Sequence, residues 1–389
     1  MRRIMSDPLL TTDNPRILFA HHGDPQLPTL VIIAGIHGNE PASVMAMESL
    51  FGSPPGGDFT LQGNVLVLKG NNQALKRKLR YIEKDLNRIW TADNLHLVRM
   101  KKSEQESFSY PELEELAALD RLITTIIARY GRGRILFADL HTTSSESCAF
   151  LPFNDTLVNR AVAKQFPVPL ILGIEEYLEG PLMSHINDLG LPALGFEAGR
   201  HEDPGSIRRH QAFVKLCMNY LGIIRLSPTD IASEEGHLKS KQDIRPGFYE
   251  ILCRYPLRPE QQFEMKPGFF NFNPIQKGLV LASSDGKPVI SPYKGMVFLP
   301  LYQQMGQEGF FIVRPVSRIW LWLSEVLRKT FLPEILPLLP GISRKAPQAN
   351  RYVVNPRIAR FLNKEIFHVL GFQIVRKDPA THWELVKRD

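Results

Sequence analysis

The feature that most constrains the fold is a β-branched apolar run that ends in a glycine-flanked loop. The run is Thr29-Leu30-Val31-Ile32-Ile33-Ala34, and the loop that follows is Gly35-Ile36-His37-Gly38-Asn39-Glu40. A run of this kind is typical of a buried strand. In open α/β sheets, ligands bind beyond the carboxyl ends of such strands. We therefore expect His37 and Glu40, three positions apart, to lie at the binding edge of a sheet.

A second apolar run, residues 134–140, ends in His141. Together the two strand ends offer His, Glu and His, a set of three protein ligands typical of a catalytic zinc with one position left open. Asp139 lies two residues before His141, so on a strand it points to the same face and can orient the histidine ring. The alternatives are a loop histidine with a solvated glutamate, and an Asp139 carboxylate that caps a nearby loop.

The order of the predicted elements divides the chain into three parts. From 1 to 232, strand-like runs alternate with helix-like segments such as Pro111 to Tyr130, which predicts an α/β domain. From 233 to 316, short β-like runs broken by glycine and proline predict a small β domain. From 317 to 389 we expect a helical, basic C-terminal extension, with amphipathic helices over Ser317 to Phe331 and Arg357 to Gly371.

Charge and cysteine content narrow the class of protein. The chain of 389 residues has a formal net charge of +7. Residues 341–389 hold ten Lys/Arg and four Asp/Glu, so nearly all of that excess lies in the extension. We find no basic stripe with base-stacking groups in the rest of the sequence, which argues against a nucleic-acid-binding protein. Three scattered cysteines, and a start without an apolar leader, predict a cytoplasmic protein.

Four blocks of sequence, in this order, resemble the succinylglutamate desuccinylase/aspartoacylase family, which is related to the zinc carboxypeptidases. They are His37-Gly38-Asn39-Glu40, Arg80-Tyr81-Ile82 with Asp85-Leu86-Asn87-Arg88, Asp139-Leu140-His141-Thr142-Thr143, and Glu197-Ala198-Gly199. The resemblance extends over about residues 28 to 315. It implies an α/β fold with a zinc-carboxypeptidase-like mixed sheet flanked by helices, followed by a smaller C-terminal β domain.

The resemblance also implies a metal centre and two catalytic residues. One Zn²⁺ per chain would be held by His37, Glu40 and His141, where it would polarise the scissile carbonyl and lower the pKa of a bound water. Glu197 would be the general base that takes the proton of the water and returns it to the leaving amine. Arg80 would stabilise the oxyanion of the tetrahedral intermediate.

For the substrate, the resemblance implies contacts from both domains. Asn87 and Arg88 would bind a carboxylate, because a planar guanidinium can grip it through two hydrogen bonds. Without the family pattern, a solvated basic face is the preferred interpretation of Arg80 and Arg88, because other basic residues surround them in the sequence. From the β domain, Tyr293 would reach the substrate, with Tyr249, Tyr255 and Tyr302 as alternatives.

One position departs from the family pattern. Ten residues before the base, aspartoacylases have an arginine that helps to bind the substrate, and this chain has Asn187. The departure argues against an aspartate-type substrate. Arg200 follows the base closely, and it would either supply the missing positive charge or pair with Glu202 or Asp203.

The sequence therefore predicts a zinc-dependent amidohydrolase that cleaves an N-acyl amino acid or a related small carboxylate-bearing amide. A carboxypeptidase-like hydrolase of peptide or peptidoglycan fragments is the alternative among enzymes. Outside enzymes, the basic extension with Trp320, Trp322, Phe331 and Phe361 fits a protein that binds a membrane surface. Such helices also dock on a protein's own core or on a second subunit, so a homo-oligomer stays open.

Overall fold

The computed structural model describes residues 7–52, 60–101, 107–239, 244–344, 350–355, 357–358, 364–378 and 382–389. The helices are α1 (Ala42–Phe51), α2 (Asn72–Arg77), α3 (Ala92–Met100), α4 (Pro111–Tyr130), α5 (Leu157–Ala163), α6 (Leu182–Asp188), α7 (Gly205–Tyr220), α8 (Pro228–Leu238), α9 (Arg318–Arg328), α10 (Leu332–Ile335) and α11 (Lys364–Val369). The strands are β1 (Ile17–His21), β2 (Thr29–Ala34), β3 (Asn64–Lys69), β4 (Ile135–Thr143), β5 (Leu151–Phe153), β6 (Pro169–Leu172), β7 (Ala193–Arg200), β8 (Gly247–Pro256), β9 (Phe263–Met265), β10 (Pro274–Ile275), β11 (Val280–Ser284), β12 (Lys287–Ile290), β13 (Gly295–Phe298), β14 (Glu308–Pro315), β15 (Ile342–Arg344), β16 (Arg351–Val354), β17 (Phe372–Asp378) and β18 (His382–Lys387).

The first sheet has the strand order β1-β3-β2-β4-β7, and all its pairs are parallel except β1 with β3. Every residue of β2 and β4 is buried, which explains why both strands are apolar runs without alternation. Because β2, β4 and β7 run in the same direction, their carboxyl ends meet at one edge of the sheet. The expectation that the two sequence blocks converge there is confirmed.

Helices cover both faces of this sheet. Leu30 and Ile32 pack in the core that includes residues of α1 and α7, whereas Val31 and Ile33 pack in the core that includes residues of α4 and α6. Each fully buried side chain of this size contributes roughly 1.5–3 kcal/mol to folding. Helix α4 spans the predicted residues, and it ends where Gly131 takes a positive φ of 73°.

The second sheet joins the predicted β domain to the body of the protein. Its strand order is β10-β13-β14-β8-β6-β5, and β8 pairs in parallel with β6. An isolated bridge between Phe150 and Glu197 connects this sheet to β7 of the first sheet. The boundary predicted at residue 233 lies within α8. The β region is therefore continuous with the α/β body through hydrogen-bonded strands.

The C-terminal extension differs from the expectation. The predicted helix over Ser317 to Phe331 is present as α9, but much of the remaining extension forms strands where helices were predicted. Strands β15 to β18 form an antiparallel sheet in the order β15-β16-β18-β17, with α11 beside it. Of the second predicted helix, residues 364–369 are helical, and 359–363 lie outside the described residues.

The prediction of a helical extension failed because the extension has a small apolar core of its own. The many basic residues around that core hide its pattern in the sequence. Tyr352, Phe367, Phe372 and Leu385 are all buried together, and the alternation around Phe372 and Leu385 has the period of a strand. Within the described part of the chain, no helix is long and apolar enough to cross a bilayer.

Candidate metal centre and active site

Two strand ends of the first sheet bring three potential ligands together. His37 and Glu40 lie in the loop after β2, and His141 lies near the end of β4. One donor atom of each lies within 4.8 Å of the donor atoms of the other two, and all three residues are buried. A Cβ at position 38 would come within 2.1 Å of the Ala74 backbone, so the loop can pack this closely on α2 only with glycine there.

The two histidine rings are oriented in the same way. The Nδ1 atoms of His37 and His141 lie 2.8 and 3.3 Å from the two carboxylate oxygens of Glu40. The Nε2 atoms lie 3.1 Å from Asp85 Oδ1 and 2.8 Å from Asp139 Oδ2. An ionised carboxylate only accepts, so each of these four ring nitrogens donates, and the Nε2 protons would remain if a cation took the place of the protons on Nδ1.

This arrangement fits a divalent metal. With a cation in place of the Nδ1 protons, both Nδ1 atoms and the Glu40 carboxylate would supply three metal ligands, and the Nε2 protons would stay bonded to Asp85 and Asp139. A carboxylate behind each ligating histidine is the usual arrangement at zinc, because it fixes the ring and its tautomer. Two histidines and one glutamate are also the ligand set of catalytic zinc sites that keep one position for water or substrate.

The charges of the cluster are consistent with this interpretation. Burial opposes ionisation of Glu40 and Asp85, yet the pKa of each carboxyl stays well below its usual range. The opposing causes are His37 and His141 at Glu40, and chiefly the Arg80 guanidinium at Asp85. The side chains therefore remain anionic donors, which is the form that binds a cation.

Glu197 lies on β7 beside His141, its register partner on β4. Its backbone N–H and carbonyl form hydrogen bonds of 3.0 and 3.1 Å with the backbone of Phe150. These two bonds fix the position of the Glu197 backbone. The carboxyl lines the same cavity of about 160 Å³ as the three ligands, and its Oε2 has no hydrogen-bond partner. Burial, to which the Glu40 charge adds while His141 opposes it, raises the pKa of Glu197 to about 8.

Arg80, Asn87 and Arg88 also line this cavity. Arg80 donates from Nε and Nη2 to Asp85 Oδ2 at 3.1 and 3.0 Å, and its Nη1 lies 3.6 Å from Glu40. The Asn87 amide oxygen accepts from the Leu182 backbone at 2.9 Å. These contacts hold both side chains beside the ligand cluster before any substrate arrives.

Other residues that line the cavity were not among the predicted site residues, and they include Glu308, Gln303 and His201. Glu308, at the start of β14, lies 3.2 Å from Arg88. Gln303 accepts from Asn39 Nδ2 at 3.0 Å and lies 3.3 Å from the ring of His201, which in turn contacts the Thr142 hydroxyl. A charged residue next to the apolar run of β14 is the signal that could have found Glu308.

The structure does not bring two predicted substrate contacts to this cavity. Tyr293 is exposed in the turn before β13, and no tyrosine of the described residues lines the cavity. Arg200 is exposed and pairs with Glu202 at 2.7 Å, which is the second of the two alternatives for that residue. Asn187 faces away as well, because its Nδ2 donates to the Leu191 carbonyl at 2.8 Å.

A sequence model of the succinylglutamate desuccinylase/aspartoacylase catalytic domain matches residues 26–223, just over half of the chain. The chain belongs to this family. Both the suspected family and its α/β fold are thereby confirmed. The match covers all four blocks of sequence on which the resemblance was based.

Individual relatives come from the same family, but their matches extend over a shorter part of this chain than the family model does. A succinylglutamate desuccinylase from Pseudomonas paraeruginosa is 34% identical over 113 residues, and one from Pseudomonas fluorescens is 31% identical over 130 residues. These segments span 29% and 32% of this chain and about a third of each relative.

A solved structure described as a succinylglutamate desuccinylase from Vibrio parahaemolyticus has a TM-score of 0.54 and 17% identity, covering 76% of this chain and 84% of that one. Another, described as a succinylglutamate desuccinylase/aspartoacylase from Rhodobacter sphaeroides, also has a TM-score of 0.54, with 16% identity, covering 75% of this chain and 87% of that one. At this identity the likeness shows the shared fold.

Proposed function

We propose that this chain is a zinc-dependent amidohydrolase that cleaves the amide bond of an N-acyl amino acid or a related small carboxylate-bearing substrate. The observation that carries the proposal is the convergence of His37, Glu40 and His141, backed by Asp85 and Asp139 and opening into the cavity lined by Glu197. The family of the chain supports the same class of reaction. A cytoplasmic location stays a prediction.

His37, Glu40 and His141 would hold the metal, because their donors converge and the remaining ring nitrogens are already bonded. When bound, a divalent cation of this kind polarises a carbonyl oxygen and makes water a stronger acid. Asp85 and Asp139 keep the two rings oriented and add negative charge behind them. Zinc is preferred for the ligand set, although other divalent metals accept the same donors.

Glu197 is the proposed general base. Its partly buried carboxyl takes the proton of the attacking water and gives it to the leaving amine, so that one group serves both steps. A pKa of about 8 before the metal binds shows how strongly the environment resists a further negative charge. A neighbouring cation lowers that pKa toward neutrality and so favours the ionised base.

Arg80 and Arg88 divide the remaining tasks. The guanidinium of Arg80 lies beside the ligand cluster and is held by Asp85, so it can stabilise the negative charge on the carbonyl oxygen in the transition state. Arg88 is the proposed partner of a substrate carboxylate. Because Glu308 lies 3.2 Å from Arg88, an incoming carboxylate shares that guanidinium with an internal one.

The test is amine release by the zinc-loaded chain from a panel of N-acyl amino acids that differ in acyl group and in amino acid. We expect release from at least one substrate, and Glu197→Gln should lower kcat roughly 10²–10⁴-fold because proton transfer is lost. Zinc content should be unchanged in this variant. Glu48→Gln, on the exposed side of α1, is the matched control and should keep full activity.

Two results would contradict the proposal. If no member of the panel releases amine from the zinc-loaded chain, the substrate class is wrong. If short peptides are cleaved instead, with kcat/KM rising with length, the carboxypeptidase-like alternative is favoured. Equal activity of wild type and Glu197→Gln would exclude Glu197 as the base.

A further inference from the structure

Helix α9 buries two polar residues, Ser324 and Arg328, beside Leu321, while most of its large apolar side chains are exposed. The Arg328 side chain is 1% exposed and Ser324 is buried. On the opposite side, Ile319 is 74% exposed and Trp322 is 64% exposed, and Val326 continues the same stripe. Positions 319, 322 and 326 have the spacing of one helix face. The apolar face of α9 is therefore turned away from the protein.

The exposed apolar surface continues beyond the helix. Phe331 is 70% exposed and Leu338 is 81% exposed, and Trp320 and Ile335 add to the same segment. Scattered apolar side chains on a surface need no explanation, but a run of large ones within 20 residues of chain is typical of a surface with a partner. We call the exposed side chains of Ile319, Trp322, Val326, Phe331 and Leu338 the apolar face.

The buried side of α9 holds the helix in this orientation. Arg328 donates to Asp155 Oδ2 and to the Asp155 carbonyl, both at 2.8 Å, and to the carbonyl of His368 at 2.6 Å. It also pairs with Asp389 at 3.1 Å. Turning the helix to bury Trp322 would strip a buried guanidinium of all these partners, which is costly. The apolar face thus stays outward in the folded protein.

The two acids of this segment, Glu325 and Glu334, are paired with lysines, Glu334 with Lys387, so the charge that remains around the apolar face is positive. Glu325, the acid of α9, is shared by two cations, Lys164 at 3.3 Å and Lys329 at 3.0 Å. Among the described residues, Arg318 at the start of α9 makes no ion pair. Tryptophan and basic residues along an exposed apolar stripe are the composition of helices that lie in the interface of anionic membranes.

We propose that the apolar face of α9 and the segment after it rest on an anionic phospholipid surface, with Trp322 and Phe331 in the interfacial layer and Arg318 and Lys329 at the headgroups. A symmetric contact between two copies would use the same face twice. It would bring the positive surroundings of both faces together, whereas anionic headgroups neutralise them. The proposal does not depend on the enzymatic activity.

The test is co-sedimentation of the full chain with vesicles of phosphatidylcholine alone and with vesicles in which about a third of the lipid is phosphatidylglycerol. We expect binding to the anionic vesicles, weakened by salt because the cations are exposed. Ile319→Glu with Trp322→Glu should lower the bound fraction roughly tenfold or more. Arg318→Gln should weaken binding roughly fivefold.

Leu97→Glu is the matched control, since Leu97 is also half exposed on a helix, α3, away from this segment. Its binding should equal wild type, and thermal unfolding should show all variants folded. Wild type that stays in the supernatant with both vesicles overturns the proposal, as does equal binding to neutral vesicles or by the double variant. A dimer seen by light scattering that the double variant dissociates, without vesicle binding, assigns the face to a second copy instead and also overturns it.

Discussion

Among the described residues, two clusters of buried charges invite comparison, and they differ in how their charges are paired. At the metal centre, Glu40, Asp85 and Asp139 gather around two histidines with Arg80 as the nearby guanidinium. The second cluster, which we call the clamp, joins Asp155, Glu175 and Glu176 of the body to Arg160, Arg328 and Arg388.

In the clamp, opposite charges meet directly. Arg328 and Arg388 reach the same oxygen of Asp155 at 2.8 and 2.9 Å, and Arg388 also lies 2.8 Å from Glu175. At the candidate metal centre, three carboxylates contact two histidine rings, and Arg80 is the guanidinium beside them. Direct pairs of carboxylates and guanidiniums hold two parts of a fold together, whereas histidines and carboxylates that converge on one place are typical of a site that binds something.

The clamp should be the more costly of the two clusters to break in the folded chain. Arg328→Met removes one guanidinium and leaves Asp155 less compensated in the interior, so we expect the free energy of unfolding to fall by about 3–5 kcal/mol. Urea denaturation of the full chain measures it. Zinc affinity should not change in this variant.

Arg314→Met is the matched control, because Arg314 pairs with Glu250 at 2.6 Å on the surface, where its side chain is 51% exposed. An exposed pair of this kind contributes less than about 1 kcal/mol. If both substitutions cost the same, burial is not what makes the clamp different.

At the metal centre, the carboxylates behind the histidines should matter for binding and little for folding. Asp139→Asn and Asp85→Asn each leave the shape of the side chain but remove its charge, and we expect zinc affinity to drop about 10–100-fold. Competition with a chelator measures the affinity. Asp93→Asn, exposed on α3, is the control. An unchanged affinity in both variants would mean that these carboxylates do not support a metal.

Asp155 of the clamp should make the stability of the fold sensitive to acid. Burial opposes ionisation of Asp155, but Arg328, Arg160 and Arg388 outweigh it and hold the pKa of this carboxyl well below its usual range. The unfolded chain then binds the proton first as pH falls, so the stability from Asp155 is present above about pH 4 and is lost below it.

Arg328→Met should flatten this dependence, because the pKa of Asp155 moves back toward its ordinary value. The measurement is the midpoint of urea unfolding between about pH 3 and about pH 6. Parallel curves for wild type and variant would show that another group causes the acid sensitivity.

His210 is a third kind of buried titratable group. Among the described residues it forms no ion pair, and it does not converge with other groups on a binding position. It is buried on α7 against Phe196, and neither ring nitrogen has a hydrogen-bond partner. Burial lowers the pKa of His210 to about 3. The unfolded chain therefore takes up a proton near pH 6.5 that the folded chain refuses, and stability falls as pH drops below that value.

His210→Leu should raise stability by about 1 kcal/mol at neutral pH, since it removes two unsatisfied polar atoms. The gain should grow as pH falls below about 6.5, because only the native histidine favours the unfolded state there. Thermal unfolding at two pH values checks both statements. A loss of stability would mean that the ring packs better than leucine can.

The sequence predicted the first sheet and its edge because strand burial leaves a direct pattern in residue type. The apolar runs of β2 and β4, and the polar residues that end them, were enough to bring His37, Glu40 and His141 together. Glu197 was found only through the family resemblance, because a glutamate after an apolar run looks the same whether it faces a cavity or water.

Contacts between distant segments could not be predicted in the same way. Tyr293 was expected at the cavity, but the turn before β13 places it in solvent, and Leu299, Pro300 and Gln303 from the same region line the cavity instead. Which residue of a loop reaches a site depends on the path of the chain, and no local pattern encodes it. The prediction of a helical extension failed for a related reason. In the described part of the chain, β15 to β18 pair with one another, and pairing between separated segments leaves no local pattern.

The two backbone hydrogen bonds between Phe150 and Glu197 bear on which parts of the cavity can change without moving the proposed base. They fix the backbone of the proposed base where the two sheets meet. The position of Glu197 therefore depends little on the side chains around it. Much of the cavity wall comes from the second sheet and its loops, including Phe153, Leu299 and Phe311. Substitutions there would change the shape of the cavity without changing the backbone hydrogen bonds that hold Glu197.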